Sequence, residues 1–333
     1  MKFEDWLRPD DSGLFCVPGR FHVDPSVPVD RAVITHGHSD HARAGHASVL
    51  STPETGAIMR RRLGADAAGA FETLGFGKPL RIGDVEVRLV PAGHVLGSAQ
   101  VVIDYRGRRA VISGDYKRQP DPTCAAYEPV PCDLFVTEAT FGLPVFRHGD
   151  GESEMAKALA ARARNPDRTV LVGAYGLGKA QRVVAHLRAL GYDRPVWLHG
   201  AVAGMCDLYR DFGIDLGPLQ PVSQAPNDLA GEIVVAPPGA MADIWSRRLA
   251  DPIVAFASGW MRVRGRARQR GVELPLVISD HCDWPDLIRS IEDSGAEEVW
   301  ITHGREDALI RQLDLMGRKG RALRLVGRED EAE

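Results

Sequence analysis

The sequence predicts an α/β protein in which a strand-rich layer is interrupted by a second, parallel α/β region. Three observations carry this reading: short β-like runs up to about residue 140, helix alternating with strand from Glu152, and a return of the strand-rich texture after residue 270. At 333 residues the chain is long enough for two domains.

In the first part, strands are expected at 21–24 (FHVD), 31–35 (RAVIT), 85–90 (VEVRLV), 100–105 (QVVIDY), 109–113 (RAVIS) and 134–138 (LFVTE), each bounded by turn residues. Thr52 to Leu63 reads as a helix with Pro53 in its first turn and Thr52 or Ser51 as its cap. Further on, EMAKALAARAR, GKAQRVVAHLRAL and GMCDLYRDF read as helices around the strands TVLVGAY and PVWLHG, the rhythm of a parallel βαβ sheet. Then come the strand LPLVISDH (274–281), the helix WPDLIRSIEDSG and the strand EEVWITHG (297–304). If these last strands complete the first sheet, the second domain is an insertion, with boundaries at 1–147, 148–270 and 271–333.

Composition narrows the function classes. With 44% hydrophobic and 26% charged residues the chain is an ordinary globular one, and a net charge of −4 excludes a global basic field drawing it onto nucleic acid. A local basic stretch exists at 262–270 (RVRGRARQR), which is either a phosphate contact through residues such as Arg262 and Arg264 or a solvated helix face. The acidic tail REDEAE is expected to be a solvated end. Five scattered cysteines without C-x-x-C spacing indicate neither a disulfide framework nor a zinc ribbon. The N-terminal MKFEDWLRPDD has no apolar h-region, and no run approaches the roughly 18 apolar residues of a membrane span, so a cytoplasmic protein is expected.

The densest chemistry is ITHGHSDHARAGH (34–46), where His36, His38, Asp40 and His41 form H-x-H-x-D-H at the end of a buried strand. Imidazole with carboxylate suits zinc, manganese or iron better than calcium or magnesium; the plain alternative is a histidine-rich surface loop. His46 reads as a packing or surface residue. His94 in PAGHVLGSA, Asp115 in ISGDY and His303 in ITHG each follow a β run beside glycine, a placement that brings ligands to one sheet edge. Singly each would be an ordinary turn residue. Asp24 is a candidate to orient a ligand histidine through its second N–H, and His22 reads as structural. Glu138 and His281 end their strands and form a plausible acid and phosphate contact. Gly176, Gly178 and Lys179 open a helix whose amides could face phosphate, or simply make a tight turn. Ser258 in ASGWM starts a further helix and either caps it or touches phosphate; Trp260 stacks on a base or packs in the core. Cys282 and His186 read as packing residues, and His199 as a candidate to line a cleft.

These motifs together resemble the metallo-β-lactamase superfamily. VTEATFG around Glu138, ISDHCDW around His281, THGRED around His303 and AYGLGKAQ (174–181) are similar to motifs of its β-CASP nucleases. FHVDP, PVDRAVITHGHSDHARAGH, ASGWMRVRGRARQ and SDHCDWPDL look most like bacterial exonucleases associated with an ATP-dependent DNA ligase and a helicase. The resemblance implies an αβ/βα sandwich with an inserted parallel-sheet domain that walls a cleft. It also implies two divalent metal ions, zinc with manganese as the alternative: one on His36, His38 and His94, the other on Asp40, His41 and His303, with Asp115 bridging and Asp24 in support. His281 would hold the scissile phosphate or protonate the leaving oxygen, oriented by Glu138. Lys179, Ser258, Arg262 and Arg264 would bind substrate. His303 is a departure, because eukaryotic crosslink-repair members typically lack that histidine and RNA-processing members carry it.

The expected function is therefore a metal-dependent DNA exonuclease, using a metal-activated hydroxide on single-stranded or duplex ends in DNA repair, with 5′ polarity favoured. The alternatives are an RNA nuclease with the same metal pair and a non-catalytic nucleic-acid-binding subunit.

Overall fold

The computed structural model describes residues 1–225, 228–249, 251–323 and 325. The acidic tail at 328–333 lies outside the described residues. Contacts divide the chain into two units, one of Met1–Phe146 with His281–Glu333 and the other of Arg147–Asp280.

In the first unit, β1 (Leu7–Asp10), β2 (Gly13–Cys16), β3 (Phe21–Val23), β4 (Arg31–Val33), β5 (Ser48–Ser51) and β6 (Phe71–Thr73) form one sheet in that order. Helix α1 (Pro53–Leu63) follows β5; the Thr52 hydroxyl accepts the Thr55 amide as its N-cap and Pro53 occupies its first turn. The second sheet starts with β7 (Leu80–Ile82), β8 (Val85–Pro91), β9 (Ala99–Tyr105), β10 (Arg108–Ile112) and β11 (Leu134–Ala139).

The second unit carries α2 (Gly151–Arg164), β12 (Val170–Gly173), α3 (Lys179–Ala189), β13 (Val196–Leu198) and α4 (Gly200–Asp211). It continues with β14 (Leu219–Pro221), β15 (Ile233–Ala236), β16 (Ile253–Ala257), α5 (Arg264–Gln269) and β17 (Leu274–Leu276). Its strands pair in parallel in the order β14-β13-β15-β12-β16-β17. β12 and β15 are buried along their whole length, as strands covered on both faces must be, which is why they read as unbroken apolar runs.

The chain then returns to the first unit through α6 (Trp284–Ser294), β18 (Glu298–Gly304), α7 (Glu306–Leu315) and β19 (Lys319–Ala322). β18 and β19 complete the second sheet, whose order is β19-β18-β11-β10-β9-β8-β7. The boundary expected at 271 is corrected to 281. The run at 274–281 is strand only at Leu274–Leu276, and it pairs with β16 at Ala255↔Leu274, so it closes the inserted sheet. The helix expected from ASGWM is a 3-10 turn at Gly259–Arg262, with α5 beginning after it.

Alternation places the core of the first unit. Leu14, Val23 and Val33 of the first sheet pack with Val87, Val101, Ile103, Ile112, Val136 and Trp300 of the second. The opposite faces are covered too: Ala32, Ile34 and Val49 pack against Met59 of α1, while Val102, Phe135 and Ile301 pack against Leu287 of α6 and Leu309 of α7. This is αβ/βα layering. Each fully buried Val or Leu stabilises by about 1.5–3 kcal/mol, so the central layer fixes the two sheets' edges against each other.

Candidate metal centre

β8 and β10 are both antiparallel to β9, and β11 and β18 run parallel to β10, so these four strands point the same way. His94 after β8, Asp115 after β10, Glu138 in β11 and His303 in β18 consequently share one edge of the second sheet. β3 and β4 are parallel, which puts Asp24 and the 36–41 loop at a common edge of the first. The Ala99 amide donates to the Thr35 carbonyl at 2.8 Å and ties the two edges together. Gly114 permits the approach: its φ is 55°, and a Cβ there would meet the Thr35 side chain at 2.7 Å. Asp24 itself sits at φ 45°, a left-handed conformation that Asp adopts more readily than branched residues.

Asp115 is the hub. Its Oδ2 lies 3.5 Å from His36 Nε2 and 3.7 Å from His94 Nε2, while its Oδ1 lies 3.3 Å from His41 Nε2 and 3.4 Å from His303 Nε2. His94 Nε2 is 2.9 Å from His38 Nδ1, and Asp40 Oδ2 is 3.2 Å from His41 Nε2. The donors thus divide into two sets sharing one carboxylate: His36, His38 and His94 beside one oxygen, His41 and His303 beside the other, with Asp40 adjoining His41. His36 Nε2 and Asp115 Oδ1 are buried with no hydrogen-bond partner among the described residues. Buried polar atoms ordinarily have one. Two divalent cations would satisfy both atoms, and the imidazole and carboxylate donor set fits zinc or manganese.

Burial pushes the His36 imidazole well below its ordinary value, and neighbouring His41 adds to the shift, so it is held in the neutral form that offers a lone pair. At Asp115 and Asp40 burial favours the neutral acid, but the facing histidines, His41 first, outweigh it and hold both below the usual carboxylate range.

Hydrogen bonds behind the centre set the ring orientations. Asp24 accepts the Thr35 amide at 2.7 Å and the Thr35 hydroxyl at 2.6 Å, and its Oδ2 lies 2.8 Å from His41 Nδ1. Thr35 Oγ1 is also 3.1 Å from His36 Nδ1. A proton on Nδ1 of each ring leaves Nε2 turned toward Asp115. His281 Nδ1 lies 3.0 and 2.9 Å from the two Glu138 oxygens, and Glu138 Oε1 accepts the Tyr116 amide at 3.0 Å. The His281 ring is 4.7 Å from that of His94. With Nδ1–H donated to Glu138, Nε2 is the atom that can exchange a proton with a substrate.

All the expected ligands, with Asp24, Glu138 and His281, are brought together in the first unit. The expected substrate contacts divide differently. Lys179 is corrected: it is 1% exposed, and its Nζ lies 2.7 Å from Asp280 Oδ1, so its charge is already balanced inside the second unit. Ser258 caps the 3-10 turn, its hydroxyl accepting the Trp260 amide at 3.2 Å. Arg262 and Arg264 are exposed. Arg266 instead packs 3.9 Å over Trp260 and Arg270 4.9 Å over Phe256. His46 is buried and accepts the Val29 amide, His199 caps α4, and Cys282 packs in the core beneath α6. Thr35, Thr302 and Tyr116 touch the site residues without having stood out in the sequence. For the two threonines a signal existed: Ile-Thr-His-Gly occurs at both 34–37 and 301–304.

Residues 4–173 match the Beta-lactamase superfamily domain, and the chain belongs to that superfamily. Its relatives are those of the β-CASP group within it. They include a "Probable DNA ligase" of Opitutus terrae, 29% identical over 308 residues that cover 90% of this chain and 29% of that protein. The "Cleavage and polyadenylation specificity factor subunit 3-I" of Arabidopsis thaliana is 23% identical over 307 residues, covering 75% of this chain and 44% of that one. "Endoribonuclease YSH1" of Candida glabrata is 25% identical over 246 residues, covering 60% and 32%. The chain spans between 29% and 44% of the length of these relatives. Among solved structures, a protein of unknown function from Enterococcus faecalis V583 shares the fold with a TM-score of 0.55 at 14% identity, over 82% of this chain and 74% of that one. Among the described residues no helix is long and apolar enough to cross a membrane.

Proposed function

We propose that this protein is a phosphodiesterase acting on nucleic acid, specifically a DNA exonuclease that starts from 5′ ends. The observation that carries the reading is the Glu138–His281 pair beside the Asp115 cluster, which adds an oriented proton carrier to a set of metal-ligand donors. His36, His38 and His94 would hold one divalent ion and Asp40, His41 and His303 the other, with Asp115 between them; such a pair lowers the pKa of water toward about 7 and offsets charge on a phosphate. Asp40, ionised beside His41, accepts a hydrogen bond from the attacking water and orients it. His281, aligned through Nδ1 by Glu138, gives a proton from Nε2 to the leaving oxygen; Glu138 stabilises the charged imidazole before that transfer and holds the neutral ring by its Nδ1–H afterwards. Exposed Arg262 and Arg264 bind backbone phosphates.

DNA is favoured over RNA because the relative named as a DNA ligase aligns with 90% of this chain, which makes a ligation partner the natural consumer of its products. The second reading, an RNA nuclease, is favoured by the relatives named as cleavage and polyadenylation factor and endoribonuclease. Matched DNA and RNA oligonucleotides, incubated with wild type and His281→Ala in the presence of zinc or manganese, separate the two. Degradation of DNA alone, lost in the variant, is expected; degradation of RNA alone would replace the first reading with the second.

A further inference from the structure

The repeated Ile-Thr-His-Gly places a threonine immediately before two of the candidate ligands, and the two hydroxyls have unlike surroundings. The Thr35 hydroxyl donates a hydrogen bond to the Asp24 carboxylate at 2.6 Å while facing His36 Nδ1, and the same carboxylate faces His41 Nδ1 directly. A buried charge therefore backs His36 and His41. Among the described residues no carboxylate backs Thr302 in this way. Its Oγ1 lies 2.9 Å from His303 Nδ1 and donates to the Thr137 carbonyl at 3.3 Å, a neutral and longer bond. His303 is also the more open ring, with 17% of its side chain exposed against none for His36, His41 and His94.

We propose that Thr302 is a positioning residue that holds His303 with its proton on Nδ1, so that Nε2 faces Asp115, and that loss of this neutral hydroxyl weakens the hold on the ion shared by Asp40, His41 and His303. The inference rests on the metal-site reading above. The Thr302 hydroxyl accepts the imidazole proton on one lone pair and donates its hydrogen to the Thr137 carbonyl. Serine can do the same; valine, of the same shape, can do neither. Without the acceptor the ring loses the bond that fixes both its tautomer and its rotation about Cβ–Cγ. Partners of this kind are worth about 10- to 100-fold in metal affinity.

The test is equilibrium metal content of the full chain at a series of buffered free zinc concentrations, for wild type, Thr302→Val, Thr302→Ser and Thr302→Ala. Wild type binds two ions. Thr302→Val and Thr302→Ala bind one at the same free zinc and recover the second only at about 10- to 100-fold higher concentration. Thr302→Ser behaves as wild type. Retention of both ions with unchanged affinity in Thr302→Val, or loss of both together, overturns the role assigned to Thr302 while leaving the two-ion site standing. A wild type that binds no zinc or manganese overturns the site reading and this inference with it.

Discussion

Residues 34–46 and 262–270 both crowd ionisable side chains into a short stretch, yet the structure handles them in opposite ways. In the first, His36 and His41 are buried, and their Nε2 atoms converge within 3.5 Å of a single carboxylate, Asp115. In the second, Arg262 and Arg264 project from a 3-10 turn and the start of α5, while Arg266 and Arg270 lie over aromatic rings. Burial makes the difference. Groups withdrawn from water must be paired, ligated or neutralised, so the first stretch is committed to one chemistry. Exposed guanidinium groups stay hydrated and supply attraction without fixing what is attracted.

The largest effect that would break this contrast is at Asp115. Asp115→Asn removes the charge that faces four imidazoles, and it is expected to abolish nuclease turnover and reduce bound zinc, read by metal analysis alongside single-turnover cleavage. Next comes His281→Ala, expected to lower kcat by about 10²- to 10⁴-fold while metal content stays unchanged. Loss of metal in that variant would show that His281 belongs among the ligands. Glu138→Gln should fall between wild type and His281→Ala, because the neutral amide still reaches His281 Nδ1 but no longer stabilises its charged form.

The candidate ligands stood out in the sequence because metal chemistry restricts residue type, and because H-x-H-x-D-H after a buried run leaves few other uses for so many donors. The layering was legible for a related reason. β9 and β11 contribute alternate residues to two cores, which writes an unbroken apolar run into the sequence. Other features left no such trace. Gly-x-Gly-Lys specifies a strand-to-helix turn but not the direction of the ammonium, and Asp280, which balances Lys179, lies far along the chain. Thr302 carries no mark distinguishing an orienting hydroxyl from any β-strand threonine until Ile-Thr-His-Gly is compared at its two positions. The residues at 274–276 look like any short strand, so texture could not say which sheet they join.

Smaller effects sharpen the comparison from the arginine side. The double variant Arg262→Ala/Arg264→Ala is expected to leave metal content and kcat near wild type and to weaken binding of single-stranded DNA. The log-log salt dependence should become shallower by about 0.7 for each phosphate that is no longer neutralised. An unchanged slope would mean that these side chains are a solvated face and nothing more. Ser258→Ala removes the cap on the Trp260 amide and should cost about 1 kcal/mol in denaturant unfolding, with no change in metal content.

The central claim is that the Asp115 cluster with His281 and Glu138 removes nucleotides from a DNA end. Its most direct test follows single-stranded DNA labelled separately at the 5′ and 3′ ends through a time course with wild type and Asp115→Asn. Immediate release of 5′-labelled mononucleotide by wild type, with 3′-labelled strands shortening progressively and Asp115→Asn inert, is the expected result. Internal cuts appearing first from both labels, or equal cleavage by Asp115→Asn, would contradict it.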